Sequence, residues 1–172
     1  MLVVFDFDGV LADPVFSIAT IAHKAYCKLY HKIPLEFVVK AIRDAKHVLR
    51  AGPDIMPVVL LAVEGKNLKR LTREELLEFE KSLGKKLSKL EQAYYQPKVS
   101  LRKNKKYWAS LFRPHKTALA QFKKVMKKHK VLIATTRHRE DILVCFDNWG
   151  VRFDENNIVD LRISKDKQEQ FR

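Results

Sequence analysis

The sequence is short of the residue types that mark several protein classes. Its 172 residues include two cysteines, and no apolar run approaches the roughly 20 residues that a membrane span needs. Cys27 and Cys145 lie far apart, without the close spacing of a zinc or redox motif, so we expect buried free thiols. The first apolar residues run into acidic ones, with no basic leader or cleavage site. We therefore expect a cytoplasmic protein that does not associate with membranes.

Acidic residues are also scarce relative to basic ones. The chain has 20 Asp and Glu against 34 Lys and Arg, which gives a formal net charge of +14. The basic residues cluster in runs at 85–86, 102–106 and 123–130. Such a charge favours anionic ligands, either phosphate-bearing small molecules or nucleic acid. The simpler alternative is that these runs are solvated helix faces.

Three apolar segments have the character of buried strands. Residues 2–5 form a β-branched run bounded by acidic residues, residues 131–135 form a second run, and residues 157–160 form a weaker third. A helical pattern that ends at Gly150 separates the second strand from the third. Strand, helix and strand in this order predict a parallel sheet with right-handed crossovers.

The segment between the first two strands has helical periodicity and almost no strand signal. Pro34 separates its first two helices, and the sequence Thr72-Arg73-Glu74-Glu75 fits a capping box that opens a long helix. After Pro97, a basic and aromatic stretch leads to Pro114. We therefore predict an α/β core formed by residues 1–13 and 114–172, with an inserted all-helical domain at residues 14–113.

Two carboxylates stand where the first strand ends. Asp6 and Asp8 are costly to place at the edge of a buried sheet unless a cation compensates them. Ligands of open parallel sheets bind outside the carboxyl ends of the strands, so both side chains are candidates to meet a substrate and a metal. Gly9 lets the backbone turn sharply beside them. The alternative is an ordinary turn, since aspartate and glycine favour turns by themselves.

Residues 2–13, LVVFDFDGVLAD, resemble the first signature of haloacid dehalogenase-like hydrolases, hhhDxDGxxxD. The resemblance implies a Rossmann-like parallel sheet and phosphoryl-transfer chemistry. It makes Asp6 the nucleophile that forms an aspartyl-phosphate, and Asp8 the general acid and base. It also implies Mg²⁺, bound through the Asp6 carboxylate and the backbone carbonyl of Asp8.

The second signature of that family is an apolar strand ending in threonine or serine. Residues 131–135 resemble it, and they are followed by Thr136 and Arg137. The resemblance implies that Thr135 hydrogen-bonds a phosphoryl oxygen. Thr136, Arg137 and Gly9 are then further candidates for binding the substrate.

The third signature is a lysine near a helix start that neutralises charge around the aspartate and the phosphate. The run 163–171 offers two candidates, of which we favour Lys167, four residues before Phe171, over Lys165. The simpler interpretation of either residue is a surface lysine.

The helical insert also resembles a feature of the family, the cap of its phosphoglycolate phosphatase-like and β-phosphoglucomutase-like members. The resemblance implies a cap that closes over the site and selects the substrate. Arg50 and the basic run 102–106 are candidates to bind a distal anion of that substrate.

Together these features predict a Mg²⁺-dependent phosphatase that hydrolyses a small organic phosphate monoester. Two alternatives stay open, the first because of the positive charge and the second because the family's fourth signature, an acidic pair, is missing from the sequence. One is a nucleotide or nucleic-acid end phosphatase, with nucleic acid as the less favoured partner. The other is a non-catalytic basic binding module on a degraded scaffold of the same fold.

The fourth signature of the family, an acidic pair such as GDxxxD or DD, does not follow the two lysines in this sequence. We therefore expect a truncated product, or a chain completed by another polypeptide that supplies a strand and the acidic pair. Without that strand, residues 2–5 become an apolar edge that invites self-association. We expect these 172 residues alone to bind Mg²⁺ weakly and to turn over slowly.

Overall fold

The computed structural model describes residues 1–50 and 52–160, and it has an α/β fold. The described part contains five strands: β1 (Leu2–Phe5), β2 (Ala12–Asp13), β3 (Arg113–Pro114), β4 (Lys130–Ala134) and β5 (Ile158–Val159). It contains eight α-helices: α1 (Val15–Leu29), α2 (Leu35–Asp44), α3 (Ile55–Val63), α4 (Arg73–Leu83), α5 (Lys85–Lys103), α6 (Lys105–Ser110), α7 (Lys116–Met126) and α8 (Arg139–Asn148). The chain divides into two compact units. The core unit comprises residues 1–14 and the described residues from 104 onward, and the helical unit comprises residues 15–103.

The predicted parallel sheet is confirmed. Its strand order is β1-β4-β5, with Phe5 opposite Ile133 and Ile133 opposite Ile158. The central strand β4 is the most deeply buried, and β5 is shorter than predicted. All three strands run in the same direction, so their carboxyl ends lie at one edge of the sheet.

The sheet is covered by an aromatic cluster. Phe7 is fully buried, stacks on Trp149 with ring centroids 5.8 Å apart, and meets Phe146 edge to face. Phe122 of α7 contacts both Phe146 and Phe5. These rings hold the two helices that flank β4 against the sheet, and edge-to-face and offset contacts are the geometry that aromatic rings prefer.

A second, two-stranded sheet was not predicted. β2 and β3 pair antiparallel, with Ala12 opposite Pro114, and His115 N–H donates to the Leu11 carbonyl at 2.9 Å. Each strand has only two residues, which is too short for the alternation that identifies a strand in a sequence. Within the core unit, the ladder joins the residues just before α1 to the residues between α6 and α7.

The boundary between the units differs from the predicted one. Residues 104–113 belong to the core unit, although their helical periodicity suggested the helical insert. Trp108 and Phe112 are almost fully buried, with ring centroids 5.3 Å apart. Helix α6 packs against α8, so tertiary contacts rather than local pattern decide where this segment belongs.

The helical unit is built around α1, α2, α3 and α5. Helix α3 is buried from Ile55 to Leu61, as expected for a helix that is apolar on all sides. The predicted capping box is confirmed: Glu75 N–H donates to the Thr72 hydroxyl at 3.1 Å, and Thr72 N–H donates to the Glu75 carboxylate at 2.8 Å.

Two helix boundaries in this unit differ from the sequence interpretation. Gly84 divides the predicted long helix into α4 and α5, because its φ of +50° lies outside the helical region that side-chain-bearing residues prefer. Pro97, predicted to precede a new segment, lies inside α5 instead. The two cysteines are free thiols; Cys145 is buried as predicted, while Cys27 is only partly buried.

Strand β1 lies at one edge of the described three-stranded sheet. Its outward side chains Leu2 and Val4 are 54% and 37% exposed. An apolar edge of this kind is a surface onto which another strand can pair. None of the described helices is long and apolar enough to cross a membrane.

Candidate functional site

The candidate site begins where β1 ends. Phe7 N–H donates to Oδ1 of Asp6 at 2.8 Å, which orients the Asp6 carboxylate over its own backbone. Phe7 itself is buried between the two acids, and Asp6 and Asp8 are both partly exposed. The apolar anchor therefore fixes the backbone while the flanking carboxylates stay within reach of solvent.

Gly9 completes the turn after these carboxylates. Its φ is +80°, a conformation that residues with a side chain rarely adopt. Its N–H donates to the Ala12 carbonyl at 2.7 Å, and the Phe7 carbonyl accepts from both Leu11 and Ala12. The Gly9 N–H is thus used by the turn, and the predicted role of Gly9 in binding substrate stays a prediction.

Thr135 follows β4 at the same edge of the sheet. It is 1% exposed, and its N–H donates to the Val159 carbonyl at 3.0 Å. Its hydroxyl oxygen accepts the N–H of Arg137 at 3.2 Å, which tightens the loop after the strand. Because Phe5 lies opposite Ile133, the acids that follow β1 and the threonine that follows β4 leave the sheet side by side.

The loop after Thr135 brings Arg137 to Asp8. Nε of Arg137 donates to Oδ1 and Oδ2 of Asp8 at 3.0 and 2.9 Å, across 129 residues of sequence. The Arg137 side chain is 11% exposed and the Asp8 side chain 28%. Charge-assisted hydrogen bonds are about twice as strong as neutral ones, so this pair holds the Asp8 carboxylate in a defined orientation.

The sequence interpretation missed three residues that surround Arg137 or its neighbour: Asp141, Trp108 and Phe112. Asp141, 1% exposed, accepts the indole N–H of Trp108 at 2.9 Å, and its second carboxylate oxygen lies 3.9 Å from Nη1 of Arg137. The guanidinium lies over the ring of Phe112, 4.6 Å from its centroid. The sequence holds no signal for this role of Asp141, because an acidic residue in the first turn of a helix is common.

The charges of the cluster affect the protonation of its members. Burial works to lower the pKa of Arg137, but the negative charges of Asp8 and Asp141 outweigh it and raise the pKa above its usual value. The guanidinium therefore stays charged at every pH at which the protein is folded. Burial also raises the pKa of the neighbouring Cys145 thiol, which keeps that residue a neutral packing group rather than a nucleophile.

Among the described residues, the site gathers three carboxylates around one guanidinium. Asp6, Asp8 and Asp141 supply three carboxylates, and Arg137 supplies one cation. Carboxylates gathered at a sheet edge call for a further cation, and oxygen donors suit Mg²⁺. The donor set therefore fits the implied ion. The Asp8 carboxylate is paired with Arg137, which leaves the Asp8 backbone carbonyl as the ligand that the resemblance implies.

A second group of potential ligands lies at the start of α8. One ligand atom each from His138, Glu140 and Asp160 lies within 4.8 Å of the others. Asp160 is fully buried, and its Oδ2 accepts the N–H of Arg139 at 2.9 Å. Nε of Arg139 is 3.8 Å from the same oxygen, so a protein cation already compensates this carboxylate.

The other predicted site residues are not part of this cluster. Thr136 is exposed beside Thr135. Arg50 belongs to the helical unit, where its side chain is exposed and its backbone N–H donates to Asp54 at 2.6 Å. Lys165 and Lys167 lie outside the described residues, so the predicted third signature stays a prediction.

Comparison with other proteins adds no family assignment. No protein-family model, no curated protein and no solved structure matches the chain. The family resemblance therefore continues to rest on residues 2–13 and on Thr135, the threonine that follows β4.

Proposed function

We propose that the chain is a phosphohydrolase of the haloacid dehalogenase-like type that acts on a small organic phosphate monoester. The observation that carries this proposal is the pairing of Asp8 with Arg137 at the strand ends, beside Asp6 and Thr135. Such a site joins a partly exposed carboxylate as nucleophile, a second carboxylate for proton transfer, and a cation for the phosphoryl oxygens.

In the proposed reaction, a carboxylate oxygen of Asp6 attacks phosphorus and the bond to the leaving oxygen breaks. As Arg137 turns to the phosphoryl oxygens, Asp8 takes up a proton from solvent and gives it to the leaving oxygen, which departs as an alcohol. Asp8 then takes a proton from water, the hydroxide displaces the Asp6 oxygen from phosphorus, and inorganic phosphate is released. Thr135 and Arg137 hold the phosphoryl oxygens through both steps.

Mg²⁺ is the cofactor that we propose, held by the Asp6 carboxylate and the Asp8 backbone carbonyl. When bound, the ion supplies the positive charge that lets an anionic carboxylate approach an anionic phosphoryl group. The carboxylates that the described residues gather at this edge of the sheet support this assignment. In the absence of Mg²⁺ we expect hydrolysis to stop.

We also propose that the core unit has the Rossmann-like fold of this family and that the helical unit is its cap. The order β1-β4-β5 is compatible with a Rossmann-like core in which the first strand carries the nucleophile. The helical unit interrupts the core between Pro14 and Asn104, where a cap of this family is inserted. We propose that it acts as the cap that selects the substrate.

The experiment is a hydrolysis assay with p-nitrophenyl phosphate, with and without Mg²⁺, followed by a panel of sugar phosphates, nucleotides and phosphoglycolate. The proposal expects Mg²⁺-dependent release of phosphate that Asp6→Asn abolishes. A matched control is Asp147→Asn, which removes an exposed carboxylate of the same unit. Equal rates of hydrolysis by the wild type and by Asp6→Asn would contradict the proposal.

The distribution of positive charge favours a second candidate function. This function is the binding of nucleic acid, with or without hydrolysis of its terminal phosphates. Residues 92–139 contain fourteen Lys and Arg and no Asp or Glu. In the core unit, Lys123, Lys124, Lys127 and Lys128 are exposed at the end of α7. Lys130 begins β4 at the edge opposite Thr135, about 16 Å away along the strand.

Salt dependence separates this candidate from the first. Binding to DNA or RNA through several phosphates weakens steeply as salt rises. Changing the four lysines at the end of α7 to glutamine should reduce the salt slope if they contact phosphates. The control changes Lys81, Lys85, Lys86 and Lys89 of the helical unit, which alters the net charge equally. Equal slopes for both quadruple variants would argue against a binding surface at α7.

A further inference from the structure

Asp141 is the most deeply buried carboxylate of the candidate site, and the proposed reaction gives it no role. It lies in the first turn of α8 with 1% of its surface exposed. One oxygen accepts the Trp108 indole N–H at 2.9 Å, and the other faces Nη1 of Arg137 at 3.9 Å. A buried carboxylate is retained only where its charge is compensated, and the Arg137 guanidinium is a cation that lies beside it.

Arg137 is constrained on three sides. Asp8 accepts from its Nε, Asp141 lies beside its Nη1, and the ring of Phe112 lies 4.6 Å from its central carbon. One carboxylate is enough to compensate the charge of one guanidinium. A second carboxylate on another side adds orientation, because a planar guanidinium between two anions has little freedom to rotate.

We propose that Asp141 is a positioning residue for Arg137, and that Trp108 positions Asp141. The chain of contacts runs from the Trp108 indole through the Asp141 carboxylate to the Arg137 guanidinium, and from there to Asp8. It keeps Nε of Arg137 directed at Asp8. A phosphoryl oxygen that competes with Asp8 for this cation finds the guanidinium already oriented, so less ordering is needed on binding.

The link to phosphate rests on the proposed function, whereas the positioning of Arg137 does not. This series of contacts also connects the site to α6. Helix α6 begins at Lys105, two residues after the helical unit ends at Lys103. Trp108 therefore makes the orientation of Arg137 depend on the placement of this first returning helix.

Asp141→Asn separates positioning from simple packing. An asparagine side chain has nearly the same volume, and its carbonyl oxygen still accepts the Trp108 indole N–H. It lacks the charge that faces Arg137. If Asp141 served only to satisfy Trp108, the substitution would leave Arg137 undisturbed.

The experiment follows the Nε–H group of Arg137 by ¹⁵N NMR and measures its hydrogen exchange. Arg137→Lys assigns the signal by removing it. We expect Asp141→Asn to speed exchange of this proton about tenfold, because a charge-assisted contact is lost. Trp108→Phe should act in the same direction with a smaller effect. The control Asp147→Asn removes an exposed carboxylate from the same helix and should change nothing.

A second arm restores the charge and adds an anion. Asp141→Glu should recover part of the protection, and inorganic phosphate should shift the Arg137 signal in the wild type at lower concentration than in Asp141→Asn. Unchanged exchange in Asp141→Asn overturns the inference, and if that variant does not fold, unchanged exchange in Trp108→Phe does so. Phosphate could leave the wild-type Arg137 signal unshifted while its exchange still depends on Asp141. That result would support the positioning role and contradict only the proposed function.

Discussion

Each unit of the protein contains one arginine grouped with two carboxyl groups, but the two clusters have different surroundings. In the core unit, Arg137 pairs with Asp8, and Asp8 remains 28% exposed at the end of a strand. In the helical unit, Arg73 pairs with Asp54 at 3.0 Å, and Asp54 is 5% exposed. The first cluster therefore keeps a carboxylate that a ligand can reach, whereas the second encloses its carboxylate.

The second cluster joins separate segments of the helical unit. Asp54 accepts the backbone N–H of Arg50, and Arg73 also donates to the Val48 carbonyl at 3.3 Å. The carboxyl group of Glu80 hydrogen-bonds Asp54. These contacts tie α4 to the loop that follows α2. The Arg73–Asp54 pair thus stabilises the fold of the helical unit, whereas the Arg137–Asp8 pair leaves an accessible carboxylate in the core unit. The exposure of Asp8 and of Asp54 distinguishes the two clusters.

The largest effect is expected from Asp6→Asn. The substitution removes the proposed nucleophile but preserves its shape, so turnover should fall to the background rate, a loss of at least about 10³-fold. Phosphate release should be measured on protein free of wild-type contamination, with Asp147→Asn as the control. Circular dichroism should show an unchanged fold. Near-normal turnover in Asp6→Asn would contradict the role of this residue.

A parallel substitution of the two arginines sharpens the comparison. Arg137→Met leaves the buried Asp141 without its cation, so we expect a loss of about 3 kcal/mol in the free energy of unfolding, together with loss of phosphate binding. Arg73 is more exposed, so Arg73→Met should cost about 1 to 2 kcal/mol and leave phosphate binding intact.

Both quantities can be measured on the same samples, by urea unfolding and by phosphate titration. If Arg73→Met impaired phosphate binding as much as Arg137→Met, the distinction between a site cluster and a structural cluster would fail.

The helical cluster should also give the protein a pH dependence. Burial is the main cause of a raised pKa for Glu80, followed by the charge of Asp54 and their hydrogen bond. The folded state therefore holds this proton to higher pH than the unfolded chain, whose ordinary value is 4.5. The folded state binds more protons in this range, so the free energy of unfolding should fall as pH rises from about 4.5 through the folded pKa.

Glu80→Gln should flatten that slope, because glutamine has no proton to lose and can still donate to Asp54. Glu78→Gln removes an exposed carboxylate from the same helix and serves as the control. Urea unfolding at a series of pH values measures both. A slope that Glu80→Gln leaves unchanged would mean that this carboxyl pair does not govern the pH response.

The smallest effect is expected at the capping box. Thr72→Ala removes the hydroxyl that accepts the Glu75 N–H, and should lower the free energy of unfolding by about 1 kcal/mol without changing phosphate binding. Thr117→Ala, an exposed threonine within α7, is the control. A loss at Thr117 equal to that at Thr72 would show that capping is not the cause.

Local signals in the sequence were sufficient for much of this structure. The apolar runs identify β1 and β4, and Asp6, Asp8 and Thr135 follow from where those runs end. The Thr72 capping box is equally local. In each case the deciding residues lie within a few positions of one another, so the chain carries the pattern without reference to tertiary contacts.

The features that escaped prediction depend on distant residues. Arg137 and Asp8 are 129 positions apart, and Trp108 and Asp141 are 33 apart. Periodicity assigns Trp108 to a helix but does not show which unit that helix packs against. The acidic first turn of α8 is an ordinary helix start by composition, and only the burial of Asp141 marks it as part of the site.

The central claim is that Asp6 accepts a phosphoryl group beside the Asp8–Arg137 pair. Beryllium fluoride, which mimics a phosphoryl group on a carboxylate, tests this claim directly when followed by ¹⁹F NMR in the presence of Mg²⁺. We predict bound fluorine signals that require Mg²⁺, vanish in Asp6→Asn and persist in Asp147→Asn. Bound signals that survive in Asp6→Asn, or a wild type that shows none at saturating Mg²⁺, would contradict the account.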